Sequence, residues 1–117
     1  MISRGRPKKY RIVRYDPKIS LFSPRGKPGR PEEIILNMDQ FEAIRLIDYM
    51  EKTQKEAANS MHISQQTLSR VLKKARKTLA DAVILGKIIR IKGGYYALST
   101  RQEIPSQLKS ILSNNTK

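Results

Sequence analysis

The segment from Thr53 to Gly86 constrains this chain more than any other. It reads "TQKEAANSMHISQQTLSRVLKKARKTLADAVILG". Thr53 stands three residues ahead of Glu56, the capping-box pattern in which each side chain satisfies a backbone N–H at a helix start. A short helix over 54–61 follows, burying Ala57, Ala58 and Met61. Ser64 caps a second start, and Ile63 just before it is placed to staple against Leu68. Leu68, Val71, Leu72, Ala75, Leu79, Ala82 and Val83 then recur at helical spacing up to a stop at Gly86. The spacing predicts a helix over 65–85, about 30 Å long.

A short helix, a tight turn and a longer helix, with small residues where the two approach, is the pattern of a helix-turn-helix. Ala58 lies four residues before the turn residue His62 and is small where the helices cross. The turn calls for a left-handed residue, usually Gly, and His is one of the better substitutes. Upstream, Asp39 with Glu42 forms a second capping box, and Phe41, Ala43, Ile44, Ile47 and Met50 mark the buried face of a helix over 39–50. Downstream, "KIIRIKGGYYALS" places Gly93-Gly94 between two apolar runs. That reads as a β-hairpin at 88–98, pairing Ile91 with Tyr96 and Ile89 with Leu98, with Arg90 and Lys92 on the other face.

The expected fold is therefore mainly α: a three-helix helix-turn-helix domain at 39–86 with a long recognition helix, then a β-hairpin region at 87–104. A basic, extended, Pro/Gly-rich arm at 1–38 precedes it, with "YRIVRY" (10–15) as its short strand. A weakly ordered tail at 105–117 follows, in which "SQLKSIL" makes at most one amphipathic turn. Leu79, Val83 and Leu85 extend past the contact region. They predict surplus apolar surface that either receives the N-terminal strand or pairs two subunits as a homodimer.

The formal net charge is +14 over 117 residues. Residues 1–31 hold ten Lys/Arg against one acid, 32–62 three against seven, 63–92 eight against one, and the remainder three against one. Two basic blocks flank an acidic one, and clustered cations gain free energy by releasing the counterions condensed on nucleic acid. There is no cysteine and only one histidine, which excludes a thiolate zinc site and a His-based triad or metal site. Asp48, Glu51 and Glu56 are explained by solvation and i,i+4 pairing, so no enzyme activity and no cofactor are expected. The chain is expected to fold and bind DNA in the presence of a chelator. No run reaches the ~18 uncharged apolar residues of a membrane span, and "MISRGRPKKYR" lacks a secretory apolar core. A cytoplasmic, nucleoid-associated protein with no membrane partner is expected.

These features give the charged face of the long helix a purpose. Gln66, Arg70, Lys73 and Lys77 lie opposite the buried row, with Ser69 beside them. Gln bonds adenine, and Arg guanine, through two hydrogen bonds in the major groove of double-stranded DNA. Gln65, Gln66, Ser69 and Arg70 are the expected base readers. Ser64, Thr67, Lys73, Lys74 and Lys77 are the expected contacts to the DNA backbone, joined by Arg4, Arg6, Lys8 and Lys9 of the arm.

The stretch from Leu36 to Gly94, with its "DQFEAIRL", "SQQTLSRVL" and closing "GK..RI.GG", resembles domain-of-unknown-function family 134, also called uncharacterised protein family 0251. The resemblance extends upstream through "RPKKYRIVRYDPKISLFSPRGKP", including Phe22, Pro24 and Gly26, and so covers residues 6–94. That family comprises small prokaryotic predicted DNA-binding proteins whose helix-turn-helix is similar to region four of sigma factors. The resemblance implies DNA binding and leaves the regulated process open. This chain departs from the pattern at His62, where the family usually has Gly.

Other signals divide between two readings each. "RGRP" at 4–7 resembles the core of an AT-hook, which lies in the minor groove of A·T-rich DNA. It lacks a preceding proline and is only four residues long, so it reads better as a non-specific basic arm. Tyr95 and Tyr96 suit hairpin packing better than base stacking. For the whole chain, a sequence-specific transcriptional regulator stands against a structural or RNA-binding protein that uses its charge without reading bases. A sigma-like partner of RNA polymerase is a narrower form of the first, with the acidic segment 32–56 as its protein-facing side.

Overall fold

The computed structural model describes residues 10–26 and 28–100. In chain order it contains β1 (Arg11–Val13), β2 (Leu21–Phe22), β3 (Glu33–Leu36) and α1 (Met38–Ile44). Helix α1 runs on into a π-helical segment (Arg45–Tyr49), followed by α2 (Gln54–Met61), α3 (Gln65–Leu85), β4 (Ile88–Ile91) and β5 (Tyr96–Leu98). Three helices and five short strands make a mixed α/β unit. Among the described residues no helix is long and apolar enough to cross a membrane.

The expected helices at 54–61 and 65–85 are present with those bounds. Thr53 Oγ1 accepts the Glu56 amide at 3.0 Å, and Glu56 Oε1 accepts the Thr53 amide at 2.9 Å, completing the capping box. Hydrogen bonding from Thr53, backbone first and side chain second, holds the Glu56 carboxyl below its usual range. His62 closes α2 in the left-handed conformation (φ 58°, ψ 44°), which lets the Ile63 amide reach back to the Ala58 carbonyl at 3.0 Å. Ser64 Oγ caps α3 by accepting the Thr67 amide at 3.0 Å, and left-handed Gly86 ends it.

The first helix departs from expectation. It begins at Met38, with Gln40 Oε1 accepting the Asn37 amide at 2.9 Å, so the capping partners are Asn37 and Gln40. Asp39 and Glu42 are instead buried. Asp39 accepts Arg11 of β1, and Glu42 accepts the Arg14 amide and the Arg45 guanidinium. From Arg45 the helix widens, with the Met50 amide bonding the Arg45 carbonyl five residues back at 2.8 Å. That extra residue shifts the phase. Leu46 enters the core while Met50, expected inside, is exposed.

The hairpin is also corrected. Strands β4 and β5 flank Gly93-Gly94 but belong to different sheets. β4 is the centre of a three-stranded sheet, antiparallel to β2 and parallel to β3, with Ile89 opposite Phe22 and Ile34. β5 pairs in parallel with β1, placing Tyr96 opposite Arg11 and Leu98 opposite Val13. With both edges of β4 occupied, none is left for β5. The glycine pair serves another contact: the Gly93 carbonyl accepts the Met38 amide at 3.0 Å, and a Cβ on Gly94 would lie 3.1 Å from Asn37 Cβ. Local turn chemistry was legible, but the distant strands that compete for the edge were not.

Two packed clusters result. Ala43, Leu46, Ala57, Ala58, Met61, Leu68, Val71 and Leu72 join the helices, with Ile63 against them as the expected staple. Val13, Leu36, Met38, Ala75 and Ile91 join the strands to the middle of α3. The N-terminal strand thus covers the helix around Ala75. Val83, placed in the buried row by its spacing, is 76 % exposed, and Ile84 and Leu85 are exposed with it.

Candidate nucleic-acid interface

Helix α3 buries Leu68, Val71, Leu72, Ala75 and Ala82 along one side. Its other side carries Gln65, Gln66, Ser69, Arg70, Lys73, Lys74 and Lys77, all exposed. Because α1, α2 and the strands occupy the apolar side, the polar row has no alternative but to face outward. Among the described residues Arg70, Lys73 and Lys74 form no ion pair, whereas Lys77 Nζ lies 2.5 Å from Asp81 Oδ1 one turn on. Ser64 and Thr67 are tied together, the Ser64 hydroxyl donating to Thr67 Oγ1 at 2.9 Å. Arg4, Arg6, Lys8 and Lys9 lie outside the described residues.

Thr67, Arg70, Lys73, Lys74 and Lys77 line one wall of an open groove of about 650 Å³. Arg11, Asn37, Asp39 and Gln40 line the other. The sequence reading did not connect this second wall to the site. Its signal was present in Arg11, a cation on a short strand, but the partner that brings it there, Asp39, lies twenty-eight residues on. The arrangement sets five cations against one acid, Asp39, which gives the groove a strongly positive potential.

The remaining charges explain why this face stands out. Of the seven acids in the acidic block, five form ion pairs within the fold: Glu32 with Lys87, Glu33 with Arg90, Asp39 with Arg11, Glu42 with Arg45 and Asp48 with Arg76. The Arg76 guanidinium donates to both Asp48 oxygens, at 2.7 and 3.2 Å, and this hydrogen bonding raises its pKa further. Asp48 therefore pairs across helices, not locally along one. Tyr95 stacks on Tyr10 with ring centroids 4.4 Å apart, and hydrogen bonding with Tyr10 raises the Tyr95 pKa. Tyr96 packs against the strand cluster. Both tyrosines serve packing, against β1 instead of across a hairpin.

Comparison with known proteins places the chain among relatives. The family model described as "Protein of unknown function DUF134" matches residues 1–99. A UPF0251 protein of Methanococcus maripaludis strain C5 is 44 % identical over 96 residues, covering 81 % of this chain and 74 % of its own. A UPF0251 protein of Caldanaerobacter subterraneus subsp. tengcongensis is 44 % identical over 92 residues, covering 78 % of each. One from Prosthecochloris aestuarii is 45 % identical over 91 residues, covering 77 % of this chain and 59 % of its own. No solved structure matches.

Proposed function

The chain belongs to the DUF134 family, the UPF0251 proteins, and we propose that it is a sequence-specific double-stranded DNA-binding protein acting as a transcriptional regulator. In this reading α2, the His62 turn and α3 form a helix-turn-helix, and α3 enters the major groove. Gln65, Gln66, Ser69 and Arg70 read base edges from its first turns, while Lys73 and Lys74 hold the backbone.

One observation carries the reading. A helix anchored by buried Leu68, Val71, Leu72 and Ala75 presents glutamines and unpaired cations outward in its first half, directly after a left-handed turn from a shorter helix. A basic surface that only solvated the protein would need neither the glutamines nor the rigid turn. Internal pairing of five acids in the segment 32–56 favours this reading over the polymerase-facing one, which needs those carboxylates free. A second copy is the partner this reading assigns to exposed Val83, Ile84 and Leu85. Sedimentation equilibrium giving only monomer at high concentration removes it.

Selection from random duplexes followed by sequencing tests the proposal. An enriched motif, bound orders of magnitude more tightly than bulk DNA at fixed salt, is expected. Tight binding to any duplex or to RNA with no enriched motif replaces it with the charge-only reading.

A further inference from the structure

The groove beside α3 has a wall that base reading leaves unused. On that wall Arg11 is the sole cation among the lining residues, with Asn37, Asp39 and Gln40 around it. Those neighbours are committed elsewhere. Gln40 Oε1 accepts the Asn37 amide and Asp39 Oδ1 accepts the Gln40 amide, both at 2.9 Å, while Asp39 Oδ2 accepts Arg11 Nη1. A guanidinium carries five N–H donors in a planar fork, and Asp39 occupies one nitrogen. The Arg11 side chain is 36 % exposed against 8 % for Asp39. Arg11 is therefore pinned from the protein side and open on the groove side, on a strand held by its pairing with β5 and by the Arg14 amide's bond to Glu42.

We infer that this wall seats the phosphodiester backbone of one DNA strand: Arg11 donates to a phosphate oxygen, and Asp39 is the positioning residue that holds the guanidinium ready. The inference rests on the DNA-binding reading above and adds a contact far from α3 in sequence. Across the groove, Arg70, Lys73 and Lys74 supply unpaired cations, so a strand lying between the walls meets positive charge on both sides. Holding Arg11 in place before binding removes the entropy otherwise lost when a long side chain is ordered on a ligand.

Positioning and simple charge make opposite predictions for Asp39. If charge alone matters, removing a carboxylate from a DNA-facing groove tightens binding. If Asp39 positions Arg11, Asp39→Ala weakens binding about two- to tenfold, the cost of ordering one long side chain, and leaves the salt dependence unchanged.

The experiment is a fluorescence-anisotropy titration of a labelled random-sequence duplex across a salt series, with the full chain and with variants checked for an unchanged melting profile. Asp39→Ala should show that weakening. The double variant Arg11→Gln, Asp39→Asn keeps a neutral hydrogen-bonded pair and so protects the fold. It should flatten the slope of log K against log salt by about 0.9, one phosphate contact. Equal or tighter binding by a folded Asp39→Ala overturns the positioning role. A double variant with the wild-type slope overturns the phosphate seat, and it decides alone if Asp39→Ala fails to fold. Wild-type protein that binds no duplex removes the DNA-binding reading itself, whereas wild-type binding matched by both variants removes this inference only.

Discussion

The Arg45 guanidinium closes on the fully buried carboxylate of Glu42, with Nε 2.7 Å from Oε1 and Nη2 2.9 Å from Oε2. The Arg14 amide donates to the same carboxylate at 2.9 Å. One buried charge thus joins the N-terminal strand, α1 and the π-segment. Removing a single partner of a buried pair leaves the other charge uncompensated. Arg45→Ala is expected to cost about 3–5 kcal/mol in urea unfolding. A loss below about 1 kcal/mol, the range of exposed pairs, would show that the pair contributes little.

Thr53→Ala should lower stability by about 1 kcal/mol, the usual effect of losing an N-cap side chain. The same change should raise the Glu56 pKa toward its ordinary value, read by NMR titration. The sign follows from linkage: a carboxyl depressed in the folded state adds stability above its unfolded pKa, and that stability is lost as pH falls through the folded pKa. Acid sensitivity from this residue should therefore shrink in the variant. An unmoved Glu56 titration would mean that the Thr53 hydroxyl does not contribute to it and that the retained Thr53 amide sets it alone.

His62 occupies left-handed backbone, where a Cβ is disfavoured and a β-branched one more so. His62→Gly should stay within about 1 kcal/mol of the parent in thermal unfolding, and His62→Val should lose about 1–2 kcal/mol. Val tolerated as well as Gly would contradict the turn conformation.

Gly94 has φ +89° and lies against Asn37, so Gly94→Ala combines backbone strain with a close contact at the start of α1. A loss of about 1–3 kcal/mol is expected by urea titration. Gly26 also has positive φ but meets nothing within 4 Å. Gly26→Ala therefore carries the backbone term alone and should cost less. Equal effects at both positions would show that the approach to Asn37 is unimportant.

The helices were legible because their signals are local. Thr53, Glu56, Ser64 and Gly86 act within a few residues, and the row from Leu68 to Ala75 repeats over one element. The sheets were not, because β1, β2 and β3 are two to four residues long and are defined by partners up to 85 residues away. Asp39 and Glu42 show the same limit from another side. Their spacing satisfies a capping box, but distant Arg11 and Arg14 supply partners that let them be buried, so the local pattern selected the right helix and the wrong roles. The exposed face of α3 was readable from periodicity alone. The opposing wall with Arg11 required the fold.

The central claim is that α3 reads bases. It is tested most directly by titrating wild type, Gln66→Ala, Arg70→Ala and Lys73→Ala against the enriched duplex and a scrambled one at fixed salt. Gln66→Ala and Arg70→Ala should each lose about 1–3 kcal/mol on the enriched duplex and far less on the scrambled one. Lys73→Ala should weaken both alike and flatten the salt slope by about one unit. If Gln66→Ala and Arg70→Ala instead weaken both duplexes equally, α3 contributes charge without reading sequence, and the account is wrong.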